Sequence, residues 1–598
     1  MELERGALLA DETCTGVAWC RSHSALVDAW LAALLGRATG AGQAQPKGMA
    51  LVALGGYGRS ELCPESDIDV MLVHDGRTDV ATVADRVWYP IWDTGVHLGH
   101  SVCTVAEALD LAADDLETAT AILSARHVAG DPELTARLAS SGQAQWGKRA
   151  RHWLPQLAAN VAARHERSGE VAFRLEPDLK EGRGGLRDVH ALGWSEAAHR
   201  VLLHRDLTSL ASSYSVLLDA RVELQRRTGR PTNVLAMQEQ DEVAAALGYA
   251  NADVLMAQVA EAARAIAWTS DDAWRRITAA VSRRSRRRAS REVVLDPSLS
   301  PGSDPALVLR LAAAAARGAT VIERESLERL ATEAPPLPNP WPPDASALLV
   351  DLLRTGPAAV QVIEALDQRG IWTRLLPEWR AVRARPQRNA YHRFTVDRHL
   401  LETAAIAAGL ADKVKRPDLL VLAALLHDLG KGCRGDHTTA GVALAGTIAT
   451  RMGLPAEDIE TLTSLVAHHL LLADVATRRD LDEPETIERV AAALGCVDRL
   501  ELLAALTEAD SMATGPAAWG PWKAELVDRL VQRVAHVLEG GEIAGVVIEP
   551  FPTPDQLNRL GRPGQHIEAH DDRLTIMTDD RQGLFSRVAG VLALHGLG

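Results

Sequence analysis

Paired cysteines are missing from this sequence. Cys14, Cys20, Cys63, Cys103, Cys433 and Cys496 are scattered and form no CxxC. That excludes a zinc ribbon or a disulfide framework and fits a reducing cytosol. Positive charge is also in deficit: 64 Lys and Arg stand against 79 Asp and Glu, a formal net charge of −15. Broad nucleic-acid binding needs the opposite balance, so no nucleic-acid partner is expected. The arginine run "SRRSRRRASRE" from Ser282 to Glu292 is the exception, and a solvated helix end or linker accounts for it. No apolar run is expected to span a bilayer, and the acidic start "MELERGALLADE" has no signal-peptide pattern. A cytoplasmic location without a membrane partner follows. Aromatic residues are only 4% of the chain, whereas Ala, Leu and Arg abound, which suits a mostly helical protein.

What is present is enough chain for several domains: 598 residues exceed one core. Residues 1–48 contain the helical "ALVDAWLAALLGRA". Over 49–130 short apolar strands surround a glycine turn, with a helix at "VADRVWYPIWDTG" and a strand at "HLGHSVCTV". From about Asp110 to Arg291 the pattern is helical, interrupted by "RLEPDLKEGRGGLRD"; 131–292 reads as a helical domain associated with the head. Two Pro-rich breaks make 293–385 a linker with a small helical segment. A second helical block, 386–540, holds most of the clustered histidines, and a connector, 541–570, precedes a strand–turn–helix tail at 571–598.

The first chemical signal is "LVALGGYGRSELCPESDIDVMLVHD", Leu51 to Asp75. Gly55 and Gly56 let the backbone leave a buried strand tightly and approach a ligand, where N–H groups cradle phosphate. On the next strand Asp67 and Asp69 share one face with Ile68 behind them, an arrangement that holds Mg²⁺ against a nucleoside triphosphate. Strand, GG, SDxD and strand in this order resemble the DNA polymerase β-type nucleotidyltransferase superfamily. Arg59 fits as a triphosphate contact and Ser66 as a turn residue. A third carboxylate is unassigned: "HLGHSVCTV" carries none, and Asp93 reads as a surface helix residue. The polar glycine-rich loop "EPDLKEGRGGLRD" reads as a second wall of the nucleotide site, with Lys180 and Arg187 facing phosphate.

The second signal lies at the ends of apolar helical runs. His427 and Asp428 follow "LLVLAALL", and Asp510 follows "LLAALTEA". A bare carboxylate buried there is costly unless it is paired or binds a metal. With His399 these residues give a mixed N/O ligand set. It resembles the HD phosphohydrolase superfamily, whose metal activates water against a phosphoester. His437, His468 and His469 sit where some two-metal members supply extra ligands, and Lys431 is placed to neutralise phosphate.

The tail "TIMTDDRQGLFSRVAGVLALHG" looks like the first strand and helix of an ACT domain. Head, HD block and ACT-like tail in this order resemble the bifunctional uridylyltransferase/uridylyl-removing enzymes of the PII nitrogen-signalling protein. Matching stretches include "GGYGRSELCPESDID", "GHSVCT", "EPDLKEGRGGLRD", "YHRFTVDRHLLET", "HDLGKGCRGDHTTAG" and "ADSMATGPAAWGPWK". The resemblance implies an α+β, predominantly helical chain: a polymerase β-like head, a helical middle, an all-α HD domain and a partial ACT (βα) tail. It implies Mg²⁺ at the transferase site and Mg²⁺ or Mn²⁺ at the HD site. A tyrosine of PII would attack the α-phosphate of UTP or ATP at the first site, and the second would hydrolyse the product. Glutamine would act as effector through the tail, with Asp580 and Gly583 as contacts. The family pattern has two complete ACT domains, and a proline commonly precedes the glycine where Gln582 stands here.

A tRNA nucleotidyltransferase joined to an HD domain is the nearest alternative enzyme, and the acidic net charge argues against it. A (p)ppGpp synthetase/hydrolase has its HD domain first, the reverse of this order. A binding scaffold with dead sites is the non-enzyme alternative.

Overall fold

The sheet that carries the first motif has four strands in the order β3-β2-β1-β4. They are β1 (Met49–Ala53), β2 (Ile68–His74), β3 (Leu98–Thr104) and β4 (Arg126–Gly130). The computed structural model describes residues 2–40, 46–76, 80–200, 202–281, 292–388, 392–542, 557–559, 566–570, 573–579, 581 and 583–595. β1 runs antiparallel to β2 and β4, while β2 and β3 are parallel and joined across the helix Val80–Trp92. β4 falls inside the stretch whose pattern predicts helix throughout. Only five residues long and flanked by helices, it is fixed by pairing with β1 rather than by local alternation.

Both faces of the sheet are covered, which is why β1 is apolar at every position. Met49, Leu51, Ala53, Ile68, Val70 and Leu72 pack under the helices Gly16–Thr39 and Val80–Trp92. Ala50, Val52, Met71 and Val73 face the helices that follow β3 and β4, with Trp146 and Trp153 in the same core. The helix Gly16–Thr39, read from sequence as a separate N-terminal segment, is therefore one layer of the head. Strand parity puts Asp67 and Asp69 on the side of Met71 and Val73, just before the apolar part of β2 begins.

Residues between Val171 and Ala273, mostly helical, build a second core, which also takes in Trp19, Cys20 and Cys63. A third, mostly helical core runs from Leu295 to Val534 and takes in Ile322 of the short strand Val321–Ile322, which pairs with Glu292–Val293. It absorbs the helices Leu307–Arg317, Arg324–Glu333, Pro343–Leu353 and Pro357–Asp367. The stretch 293–385, expected as a linker with a small helical segment, thus shares one core with the histidine block. The Pro-rich breaks bend the chain without separating folding units.

Two features join the middle helices to that core. Thr395 N–H donates to Phe173 O (3.0 Å), and Arg174 bridges Phe394. Arg264, on the helix Ala252–Val281, is buried against Asp397 and Asp367, its Nη1 lying 3.1 Å from Asp367 Oδ2.

The expectation about membrane-length runs needs a correction. Ala456–Arg478 is a 23-residue helical stretch of mean hydropathy 1.2, long and apolar enough by composition to cross a membrane. Its Leu462, Leu465, Val466 and Leu472 belong to the third core. Near the C-terminus the described tail is an antiparallel pair, His566–His570 with Arg573–Met577, followed by the helix Leu584–Leu594. The sequence pattern anticipates the second strand and the helix but not the first strand. Asp580 and the arginine run at 282–291 lie outside the described residues. Gly583 adopts φ +77° at the start of the last helix, a left-handed conformation that favours glycine.

Candidate active sites

After β1 the chain makes one helical turn, Gly55–Gly58, in place of an open loop. Gly55 has φ +54°, and a Cβ there would lie 2.9 Å from Asp69 Oδ2. Gly99 stands opposite Asp69 across the β2–β3 register, and a Cβ on it would lie 2.4 Å from Asp69 Oδ1. Two glycines therefore make room for one carboxylate. Asp69 is half-buried, and burial, then the neighbouring Asp67, raises its pKa. Such a carboxylate favours a cation beside it.

Asp67 and Asp69 open onto a cavity of about 340 Å³. Gly55, Gly56, Arg59, Ser66, Lys180 and Arg187 also line it, so the structure brings this whole predicted set together. Ser66 holds the preceding turn: its Oγ accepts from Cys63 N–H (3.1 Å), and its own N–H donates to Cys63 O (3.1 Å). Arg59 Nε donates to Glu61 Oε2 (2.7 Å). Lys180 comes from the glycine-rich loop, and burial, then Arg221 and Arg187, lowers its pKa.

That loop is folded around Asp188, which is fully buried. Asp188 pairs with Arg164, lies 2.8 Å from His165 Nε2 and accepts from Gly184 N–H (2.7 Å). Gly184, at φ +83°, lets the loop touch Ala263, since a Cβ would lie 2.3 Å from its carbonyl oxygen. The loop's glycines thus serve close packing, and the ordered result is a cationic wall.

Motif spacing does not point to Glu117, Arg221 or Gly99. Glu117 and Arg221 line the cavity, and the Glu117 charge adds to the rise in the Asp69 pKa. Both sit on ordinary amphipathic helices with no local signature, and only tertiary packing brings them in. Asp93 is exposed at the end of its helix and does not line the cavity.

The second site is closed and buried. His399 lies on the helix Val396–Gly409, His427 and Asp428 end the helix Pro417–Leu426, and Asp510 lies on the helix Val497–Thr514. His399 Nε2 is 3.3 Å from His427 Nε2, 3.0 Å from Asp510 Oδ1 and 3.8 Å from Asp428 Oδ2. His427 Nε2 is 3.5 Å from both carboxylates. The other His427 nitrogen, Nδ1, donates to Ala424 O (2.9 Å), which turns Nε2 to the shared centre as a ligand. Burial alone would raise the carboxyl pKa values. Instead His427 and Lys431 hold Asp428 well below the usual range, and the neighbouring His399 and His427 do the same for Asp510.

His399, His427 and Asp428 offer ligand atoms within 4.8 Å of one another, as do Asp428, His437 and His469. Asp428 Oδ1 is buried and accepts no hydrogen bond from the described residues. This mixed N/O donor set fits divalent-ion binding, and Asp428 belongs to both groups. His437 is brought close because Gly430 lets its helix approach, a Cβ there meeting His437 O at 1.8 Å.

His468 is corrected by the structure. Its Nδ1 faces Ser464 O at 2.9 Å on its own helix. The next residue, His469, is buried, with Nε2 3.7 Å from Asp428 Oδ1. Adjacent helical residues point about 100° apart, so only one of the pair can face the centre. Lys431 Nζ lies 2.5 Å from Asp428 Oδ2 and donates to Gln387 Oε1 (2.7 Å), a cation at the edge of the site.

A half-open acidic pair ringed by basic side chains and a buried His/Asp centre define a chain that joins a nucleotidyltransferase head to an HD-type hydrolase. Residues 396–514 match the HD domain family, and residues 154–274 match the family described as GlnD PII-uridylyltransferase. A bifunctional uridylyltransferase/uridylyl-removing enzyme of Streptomyces coelicolor is 44% identical over 99% of this chain and 79% of its own length. One from Mycobacterium tuberculosis is 44% identical over 96% of this chain and 74% of its own, and one from Corynebacterium glutamicum 36% over 79% and 70%. The chain belongs to the family of bifunctional uridylyltransferase/uridylyl-removing enzymes.

Proposed function

We propose that this chain adds a nucleotidyl group to a tyrosine of PII at Asp67 and Asp69, and removes it at the His399, His427, Asp428 and Asp510 centre. The observation that carries this reading is the pairing, in one chain, of a cavity of about 340 Å³ that sets Asp67 and Asp69 among four basic side chains with a separate buried ligand set. In the first site Arg59, Lys180, Arg187 and Arg221 meet the triphosphate charge, while Ser66 fixes the turn that aims Asp67 and Asp69. The tyrosyl oxygen bonds to the α-phosphorus as the bond to pyrophosphate breaks. In the second site water bonds to the same phosphorus, the bond to the tyrosyl oxygen breaks, and Lys431 faces the phosphate charge.

A divalent ion at either site would supply charge stabilisation and an activated nucleophile, Mg²⁺ at the first and Mg²⁺ or Mn²⁺ at the second. UTP is the proposed donor, in keeping with the relatives' names. Glutamine control through the tail and a cytoplasmic location belong to the same proposal.

Intact mass measurement of PII after incubation with this protein, Mg²⁺ and equimolar UTP and ATP tests the reading. One uridylyl group per PII subunit is the expected product. An adenylyl group would replace the donor, and unmodified PII would count against the transferase.

A further inference from the structure

Cys20 and Cys63, far apart in sequence, meet in the second core with their sulfurs 3.9 Å apart. Cys20 lies on the helix Gly16–Thr39, and Cys63 opens the turn that leads through Ser66 to Asp67. Both side chains are fully buried. Arg221 Nη1 donates to Cys63 Sγ at 2.9 Å, and Arg221 also lines the nucleotide cavity. The Cys20 hydrogen bond and the Arg221 charge hold the Cys63 thiol below its ordinary range despite burial. The guanidinium offsets the cost that burial places on a Cys63 thiolate, the form that reacts with an oxidant.

We propose that Cys20 and Cys63 form a reversible disulfide that disables the neighbouring acidic pair. The effect on activity rests on reading that pair as the transferase site; the bond itself does not. With hydrogen peroxide as oxidant, the Cys63 thiolate attacks one oxygen and the O–O bond breaks. Hydroxide leaves and takes up a proton as the first water, and Cys63 becomes a sulfenic acid. The Cys20 sulfur then attacks the Cys63 sulfur: the S–S bond forms, the S–O bond breaks, and the Cys20 proton leaves in the second water. Two thiols lose two electrons and two protons, and one peroxide becomes two waters. A dithiol reverses the step by exchange.

The geometry sets the consequence. A disulfide is about 2.0 Å long, so the sulfurs must close a gap of about 1.9 Å, within what a turn can yield. Cys63 and Ser66 are joined by two backbone-anchored hydrogen bonds, so drawing Cys63 toward the helix Gly16–Thr39 drags Ser66 and displaces Asp67. None of the residues of the His/Asp centre touches this pair, and removal of the nucleotidyl group continues. Oxidation thereby tips the cycle toward unmodified PII. Arg221 links the cavity to Cys63, so a bound nucleotide that engages Arg221 slows the reaction.

The test is graded peroxide treatment of the full chain with and without UTP and Mg²⁺, thiol blocking, digestion and peptide mass analysis, with both activities assayed in parallel. We expect a peptide joining Cys20 to Cys63, lighter by two hydrogens, and less of it when nucleotide is present. Transfer should fall at least about tenfold while removal changes less than about twofold, with dithiothreitol restoring transfer. Cys20→Ala should keep transfer under peroxide, and Cys63→Ala serves if that variant does not fold. Oxidation of the exposed Cys433 and Cys496 without the Cys20–Cys63 peptide would overturn the proposal. So would a complete crosslink that leaves transfer unchanged. Absence of transfer in the reduced protein would instead refute the functional reading, because the peptide mass reports the bond alone.

Discussion

The two sites are opposites in construction. The acidic pair is half-open: Asp67 is exposed, Asp69 is half-buried, and the long side chains of Arg59, Lys180, Arg187 and Arg221 surround them together with Glu61, Glu65 and Glu117. The His/Asp centre is closed: His399, His427 and Asp428 are at most 3% exposed, each held on a helix of one large core. Burial raises the Asp69 pKa, whereas His and Lys partners hold Asp428 and Asp510 low. The difference teaches how each is built to meet a ligand: the first leaves its carboxylates accessible among flexible charged side chains, and the second holds its His and Asp atoms preorganised on packed helices.

The comparison can be broken or sharpened by substitution. Arg264→Ala should have the largest effect, because it leaves Asp397 without its ion-pair partner in the junction between the two halves, while Asp367 keeps only Arg383. We expect a stability loss of about 3–5 kcal/mol, read by denaturant unfolding, with both activities falling together. Gly99→Val should strike one half only: its side chain would occupy the space of the Asp69 carboxylate. Transfer should drop about 100-fold or more at unchanged removal, measured by nucleotidyl incorporation and release. His469→Ala should lower removal about 10- to 100-fold, while His468→Ala should stay within about twofold, which tests the corrected ligand directly. Ser66→Ala should be the mildest change, losing one hydrogen bond to Cys63 N–H, worth about 1 kcal/mol and up to about a tenfold fall in transfer.

How much of this is legible in sequence follows from the same contrast. Asp67 and Asp69 flank Ile68 where a strand begins, so their shared side and the Gly55 turn can be read directly, and the cavity holds all the residues that motif spacing suggests. The buried set from His399 to Asp510 is legible only because carboxylates and imidazoles at the ends of apolar helices are anomalous. Helical phase near the end of such a run is not settled by composition, which is why the sequence leaves His468 and His469 undistinguished. Glu117, Arg221 and the Cys20–Cys63 contact are invisible because each depends on how separate helices pack. The strand β4 is hidden for a related reason, since its partner β1 specifies it more than its own residues do.

The most direct test of the account is a reciprocal pair of variants assayed in both directions by intact mass of PII. Asp69→Asn should abolish nucleotidyl addition and leave removal from pre-modified PII intact. His427→Ala should abolish removal and leave addition intact. That double dissociation is what two independent sites predict. Loss of both activities in either variant, with the fold preserved, would contradict it.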